Sequence, residues 1–235
     1  MKIENLIQGY FLERPNRFTV RFLYHDTKED LAHLKDPGRL KELLQPNVKL
    51  LLRKVPENPK RKTNFDVIAV FKDNMWVLIN SGFHSDLAAN LIESTLVDEF
   101  KDYSIEKREY TFGKSRLDFL LTSKNRYMLV EVKGCTLVKN HHALFPDAPT
   151  ARGKRHLEEL IEGKKQGFDS TVLFLIMKED ASYFSPNYTT DPDFSKTLKQ
   201  SYENGVNIVP YVFKTSLKNN SLNIQPLKRL KIEFK

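Results

Sequence analysis

Hydrophobic and polar positions change their spacing about a third of the way along the chain. Near the N-terminus Phe18, Val20 and Phe22 alternate with Arg17, Thr19 and Arg21. A period of two predicts a strand with one face in a core and a basic face toward solvent. Apolar runs at Val48–Leu52, Phe65–Phe71 and Met75–Asn80 also read as strands. The turn pair Pro37-Gly38 predicts one short helix over Arg39–Leu44. Several strands with a single short helix describe a small β-barrel over residues 1–82.

Beyond Ser81-Gly82 the period lengthens. Ser85 and Asp86 are expected N-caps for a helix whose apolar positions are Leu87, Leu91, Ile92, Leu96, Val97 and Phe100. Strands are expected at about 105–112, 116–122 and 127–133, then a loop over 139–149 holding Pro146 and Pro149. A second helix is expected over 150–166, stopped by Gly167. The unbroken apolar run Thr171–Met177 reads as a strand buried on both faces. Asp191-Pro192 supplies an N-cap and a first-turn proline for a helix to about 204, and Val206–Phe213 reads as another strand. The expected fold class is therefore α/β with a mixed (α+β) sheet over 83–235, preceded by an OB-like β-barrel.

Composition narrows the partners. At 40% apolar and 29% charged, the 235 residues fall in the globular range. Thirty-eight Lys and Arg against 30 Asp and Glu leave a net charge of +8. Residues 1–82 hold 15 basic and 10 acidic side chains, so most of the excess lies in the first third. That excess points to a polyanion, most simply nucleic acid. The single cysteine, Cys135, excludes an intramolecular disulfide and suits a reducing compartment. Charges at Lys2, Glu4, Glu13, Arg14 and Arg17 argue against a signal peptide, and no run reaches the ~20 apolar residues of a membrane span. A cytoplasmic location with no membrane partner is expected.

The segment RLDFLLTSKNRYMLVEVKGC (116–135) concentrates the chemistry. Two strands flank the turn Ser123-Lys124-Asn125-Arg126. If that turn is centred between Lys124 and Asn125, paired positions sum to 249, which sets Asp118 opposite Glu131. Like charges facing each other destabilise a hairpin, and a divalent cation between them would reverse the sign. Lys133 shares that face, two residues past Glu131. Carboxylate oxygens select Mg²⁺ or Mn²⁺, and the cation, with Lys133 beside it, suits phosphodiester hydrolysis. The same alternation also describes a half-exposed strand in which Asp118 pairs with Arg116 or Lys114.

Basic residues gather in two further places. Thr150, Arg152, Lys154, Arg155 and His156 crowd the start of the second helix, where cations oppose the helix dipole and an anion would offset them. Arg152 and His156 are four apart and share a face, expected to look toward a phosphate. In the barrel, Arg53, Lys54, Lys60, Arg61 and Lys62 lie in a proline-stiffened loop. With Arg17 and Arg21 on a strand face, and Phe18 and Tyr24 nearby, the layout suits a single-stranded polyanion, phosphate contact being its stronger element. Glu93, Asp147 and the pair His141-His142 are weaker candidates. Adjacent residues of an extended chain point to opposite sides, which disfavours shared ligation by the two histidines. Cys135 has no Cys/His relay to activate it.

The strand pair SRLDFLL and YMLVEVKG resembles the PD-(D/E)xK nuclease core. FPDAPTARGKRHLEEL (145–160), RPNRF (14–18), DPGRLKELLQP (36–46), NPKRK (58–62), Phe184–Pro186, Asp191-Pro192 and GVNIVPY (205–211) are similar, in order, to elements of the sugar fermentation stimulation protein A (SfsA) family. The resemblance covers nearly the whole chain. It implies an N-terminal OB-like domain on a restriction-endonuclease-like domain, with DNA binding and metal-dependent nuclease activity. It further implies Asp118 and Glu131 as metal ligands, the backbone carbonyl of Val132 as a further ligand, and Lys133 as the catalytic lysine. Gly134-Cys135 stands where the family usually has Ser-Val, and Lys35-Asp36-Pro37 where it usually has Cys-Pro-Asn. The expected function is a Mg²⁺- or Mn²⁺-dependent nuclease acting on DNA or RNA. The competing reading is a DNA-binding regulatory protein whose nuclease-like site is weak or inactive. Oligomeric state is left open, a homodimer included.

Overall fold

A computed structural model describes residues 1–25, 27–56 and 58–234. By contact the chain divides into two compact units. One comprises residues 1–83, 177–179 and 213–225, the other residues 84–176, 180–212 and 226–235.

The first unit is built from β1 (Lys2–Ile3), β2 (Leu6–Asn16), β3 (Thr19–Tyr24), β4 (Lys28–His33), β5 (Lys49–Lys54), β6 (Phe65–Lys72) and β7 (Met75–Leu78). Strands β2 to β7 form one sheet in the order β4-β3-β2-β5-β6-β7. A parallel pairing of β4 with β6, Ala32 opposite Phe65, closes five of them into a barrel. Closure needs a strongly bent strand, and β2 supplies it through register shifts between Phe11, Glu13 and Asn16. At Gly9 a Cβ would lie 2.9 Å from the Leu23 carbonyl oxygen, so the tight crossing at that point requires glycine. Val20 and Phe22 are buried as their alternation predicts, whereas Phe18 falls before β3 and is 48% exposed.

The expected helix over 39–44 is absent. Leu40 takes a positive φ of 49°, which interrupts a right-handed helix, and only a single turn forms as Leu44 N–H donates to the Leu40 carbonyl. Leu40, Leu43 and Leu44 are nevertheless buried, which explains their apolar spacing.

The second unit begins with α1 (His84–Glu93), then β8 (Ser104–Phe112), β9 (Ser115–Ser123) and β10 (Arg126–Cys135). It continues with β11 (Val138–Lys139), β12 (His142–Phe145), α2 (Ala151–Lys165), β13 (Asp169–Ile176) and β14 (Tyr183–Pro186). The remainder of the chain forms α3 (Pro192–Glu203), β15 (Asn207–Lys218), β16 (Ser221–Arg229) and β17 (Lys231–Ile232), of which residues 213–225, the end of β15 and most of β16, belong to the first unit. Helix α1 stops at Glu93, short of the expected Phe100, and a separate 3-10 turn covers Asp98–Phe100. The principal sheet of this unit runs β15-β13-β10-β9-β8. β10, β13 and β15 are parallel neighbours, while β9 and β8 join antiparallel, so the sheet is mixed. A small second sheet, β11-β12-β14-β17, takes β12 and the end of β11 from the segment expected as a loop.

Strand β10 is central, and the two helices cover its opposite faces. Leu129 meets Gly163 of α2 and Glu131 meets His156, while Gly134, of opposite parity, meets His84 of α1. A core of Leu117, Leu129, Leu157, Leu160, Val172, Phe174, Phe184, Phe194 and Leu198 fills the α2 side. In the first unit, Lys2 and Ile3 of β1 pair antiparallel with Asn223 and Leu222 of β16. Among the described residues no helix is long and apolar enough to cross a membrane.

Candidate functional site

The β9–β10 hairpin keeps the register read from the sequence. Its pairs run from Arg126 opposite Ser123 to Val130 opposite Phe119, each summing to 249. The next pair in that register is Glu131 and Asp118, and there the main-chain ladder with β9 ends. Val132 N–H donates instead to Asp118 Oδ2 at 2.7 Å, so a carboxylate takes the place of a backbone acceptor. On its other edge β10 stays paired with β13 as far as Cys135 opposite Ile176. The acidic residues therefore sit at a fork in a rigid sheet.

Glu131 is 3% exposed. Its Oε1 accepts from Lys133 Nζ at 2.5 Å and from His156 Nδ1. Its Oε2 is buried with no hydrogen-bond partner among the described residues. A buried, unsatisfied carboxylate oxygen is costly unless a ligand completes it.

The two carboxylates differ in how readily they ionise. Burial, and then the charge of Glu131, push Asp118 up to about 7, against the pull of the Val132 N–H and Lys133. Burial also opposes the charge of Glu131, but Lys133 and His156 outweigh it and hold its pKa below the ordinary value. Like charges crowded together settle by one keeping its charge and the other its proton.

Helix α2 delivers the next layer. Thr150 caps it, its side chain accepting from Gly153 N–H at 3.0 Å. Thr150 N–H in turn donates to Asp191 Oδ2 at 2.8 Å, and Asp191 Oδ1 caps α3 by accepting from Phe194 N–H. Two helix starts are thus tied together. Arg152 and His156 share a face as their spacing predicts, but their roles divide. His156 is 2% exposed and uses both ring nitrogens internally, donating from Nδ1 to Glu131 and accepting from Arg152 Nε at 3.3 Å. Direct contact between His156 and a phosphate, expected from the sequence, is corrected by this burial. Arg152 is exposed. The signal was present: Gly153, His156, Leu157, Leu160 and Gly163 form the buried stripe of α2.

Behind the site, a Cβ on Gly134 would lie 2.1 Å from Cε1 of His84, so glycine there makes room for an imidazole. Enclosure of that ring pushes its pKa down to about 4, leaving it neutral near pH 7.

The remaining candidates are scattered. Glu93 is exposed at the end of α1. His141 Nδ1 bonds the Asp180 carbonyl, while His142 stacks on Tyr183, so the two histidines share no centre. Cys135 is buried, and its thiol donates to the Leu144 carbonyl at 3.5 Å. In the barrel, Arg17, Lys60 and Lys62 are exposed, and Arg21 is paired with Glu13 and Glu29. Arg61 differs from its neighbours: it bonds Asp66 at 2.7 Å, a carboxylate that is 2% exposed and also faces Lys35 at 3.4 Å. Tyr24 packs on Phe22 and Phe65. Among the described residues no three His, Cys, Asp or Glu side chains converge as a metal cluster.

A five-stranded OB barrel combined with a mixed α/β sheet domain defines a two-part architecture, and comparison with known proteins places it. Residues 12–79 match the SfsA N-terminal OB domain, and residues 82–219 match the sugar fermentation stimulation protein RE domain. The chain belongs to the SfsA family. A sugar fermentation stimulation protein homolog from Methanothermobacter thermautotrophicus is 55% identical over 234 residues, covering 100% of this chain and 96% of the relative. A homolog from Methanosphaera stadtmanae is 47% identical over 238 residues, covering 100% and 98%. The structure of Pyrococcus furiosus SfsA in complex with Ca²⁺ aligns with a TM-score of 0.89 at 27% identity, covering 99% of this chain and 98% of that one.

Proposed function

We propose that this protein is a divalent-metal-dependent nuclease with a PD-(D/E)xK-type site, in which Asp118, Glu131 and Lys133 hydrolyse a phosphodiester held by basic residues. The observation that carries the reading is the buried Oε2 of Glu131, without a hydrogen-bond partner among the described residues, on a residue one register step beyond the last β9–β10 pair. The donor set fits Mg²⁺ or Mn²⁺. Two carboxylates with no third acidic or imidazole ligand among the described residues suit an ion that retains several waters, and disfavour a closed structural zinc site. In an extended strand the N–H and C=O of one residue point to the same side. Because Val132 N–H is turned toward Asp118, its carbonyl points that way too, available as a third oxygen ligand. The related Pyrococcus furiosus protein holds Ca²⁺, another hard cation that prefers oxygen.

The protein's own groups divide the work. Asp118 and Glu131 supply anionic oxygens once the Asp118 proton leaves. When bound, the cation polarises a phosphate oxygen and acidifies a water. Lys133, a compact cation on a flexible stem, can move from Glu131 Oε1 to stabilise charge developing on the phosphate or to orient the incoming water. His156 acts as a positioning residue, holding Oε1 of Glu131 and leaving Oε2 for the cation. Arg152 orients His156 from the surface and faces the substrate. In the barrel, Arg17, Lys60 and Lys62 bind the polyanion without reading its sequence, with Arg21 beside them and Arg61 bracing the loop through Asp66. The substrate is DNA or RNA.

Purified Asp118→Ala protein tests the reading. Mn²⁺-stimulated cleavage of a labelled nucleic acid should fall by about 1,000-fold or more, with affinity for that nucleic acid unchanged. Cleavage that survives the substitution would show the site to be elsewhere. Wild-type protein that binds DNA but cuts nothing with Mg²⁺ or Mn²⁺ would instead make this a DNA-binding protein.

A further inference from the structure

One cleft is formed wholly by residues of the barrel unit. Its volume is about 440 Å³, and it is lined by Phe11, Pro37 and Leu44 on its apolar side. Arg14, Arg17, Arg39 and Lys41 supply the polar side together with Asn16 and Gly38, and among the described residues none of the lining is acidic.

The cleft is built in advance by a single side chain. Arg14 Nη1 donates to the Gly38 and Arg39 carbonyls at 2.9 and 2.7 Å. Its Nη2 donates to the Arg17 and Asp36 carbonyls at 2.7 and 3.2 Å. One guanidinium therefore staples the β2–β3 turn to the 36–39 loop, and those two segments are the walls. Each wall is also locked locally. Asn16 Oδ1 accepts from Phe18 N–H at 2.9 Å, and Asp36 Oδ1 accepts from Gly38 N–H at 2.7 Å. Leu40 and Leu43, each 1% exposed, anchor the loop in the barrel core. Arg17 and Lys41 are exposed, and neither forms an ion pair among the described residues.

We propose that this cleft binds one unpaired nucleotide of a single-stranded nucleic acid. The base would lie on the Phe11–Pro37–Leu44 side, and its phosphate would meet Arg17 and Lys41. The chemistry selects this ligand in three ways. The volume suits a base with its sugar and exceeds the needs of inorganic phosphate alone. A bare cation patch would serve a duplex backbone, but an apolar wall is of use only to a base that has left its stack. Arginine planes add a stacking surface that every base can use. The proposal rests on the nucleic-acid reading above and deepens it: the preferred substrate has an unpaired strand.

The test measures binding in EDTA, where cleavage is blocked, by anisotropy of a labelled oligothymidylate against an abasic strand of the same length. Wild-type protein should bind the base-bearing strand at least about tenfold more tightly, as base stacking on protein surfaces requires. The Arg17→Glu/Lys41→Glu double variant alters only exposed side chains. It should keep its melting temperature while losing at least about tenfold in affinity and most of the base preference. An unchanged affinity in that variant, or equal binding of the abasic strand, overturns the cleft. Competition by free thymidine monophosphate at concentrations equimolar with the strand would overturn it as a strand site. In either case oligonucleotide binding elsewhere, and Mn²⁺ binding at Asp118 and Glu131, would leave the nuclease reading standing. Wild-type protein that binds no oligonucleotide would sink both.

Discussion

The fork at Asp118 and Glu131 and the loop carrying Lys60, Arg61 and Lys62 are both dense in charge, and they treat it in opposite ways. At the fork, charge is buried, crowded with its own sign and only partly satisfied. In the loop, Lys60 and Lys62 stand in solvent, and Arg61 alone is committed, to a buried carboxylate. Exposed cations need no explanation beyond solubility. A buried carboxylate oxygen without a partner needs one, because its hydration is lost with no hydrogen bond in return, and at Glu131 that oxygen sits beside a second carboxylate. The fork therefore says more about function than the longer basic run does.

The sharpest way to break this contrast is inside the loop. Arg61→Ala should destabilise the protein by roughly 2–3 kcal/mol, because it leaves Asp66 buried with only Lys35 opposite. Lys62→Ala, one residue on, should change stability by less than about 0.5 kcal/mol. Chemical denaturation of both variants measures the difference, and equal effects would erase the distinction between a structural cation and a solvated one.

At the fork, His156→Ala should weaken Mn²⁺ binding by about 10- to 100-fold, the usual cost of losing a group that orients a metal ligand. His156→Asn, whose amide can donate to Oε1 in place of Nδ1, should recover most of that affinity. Calorimetric titration with Mn²⁺ reads both, and the melting temperature of the metal-free variants separates positioning from general damage.

The proton on Asp118 gives a smaller effect whose sign is fixed. Metal must displace that proton, so Mn²⁺ affinity should rise by up to about tenfold per pH unit toward about 7 and level off above it. Stability without metal should run the other way. The unfolded carboxyl ionises near 3.8, so between about 4 and 7 the unfolded chain holds fewer protons, and stability falls as pH rises. Asp118→Asn should flatten both slopes. The smallest expected change is in salt dependence: replacing Lys60 and Lys62 with Ala should reduce the slope of log affinity against log salt by up to about two units.

Much of the fork was legible in the sequence because antiparallel pairing is arithmetic. Once the turn over residues 123–126 is placed, the sum of 249 carries each residue to its partner, and strand parity puts Lys133 beside Glu131. The cap at Asp191 was legible because it rests on a contact within three residues, whereas Thr150, which caps α2 in the same way, was read only as one residue of a crowded helix start. What sequence patterning missed depends on contacts between segments. Nothing near Leu40 announces a positive φ, so its apolar spacing imitates a helix. Strands β12 and β14 gain their identity from pairing with each other across about forty residues. His156 looked like one more member of a basic cluster until the fold brought Glu131 beneath it.

The glycine behind the fork constrains what a relative could lend to this chain. The imidazole of His84 occupies the volume that a side chain at position 134 would claim. Transplanting a β10 segment with serine at that position would push on α1 rather than on the acidic face. The two positions are keyed to each other like lock and ward, so exchange at one demands a trimmed residue at the other.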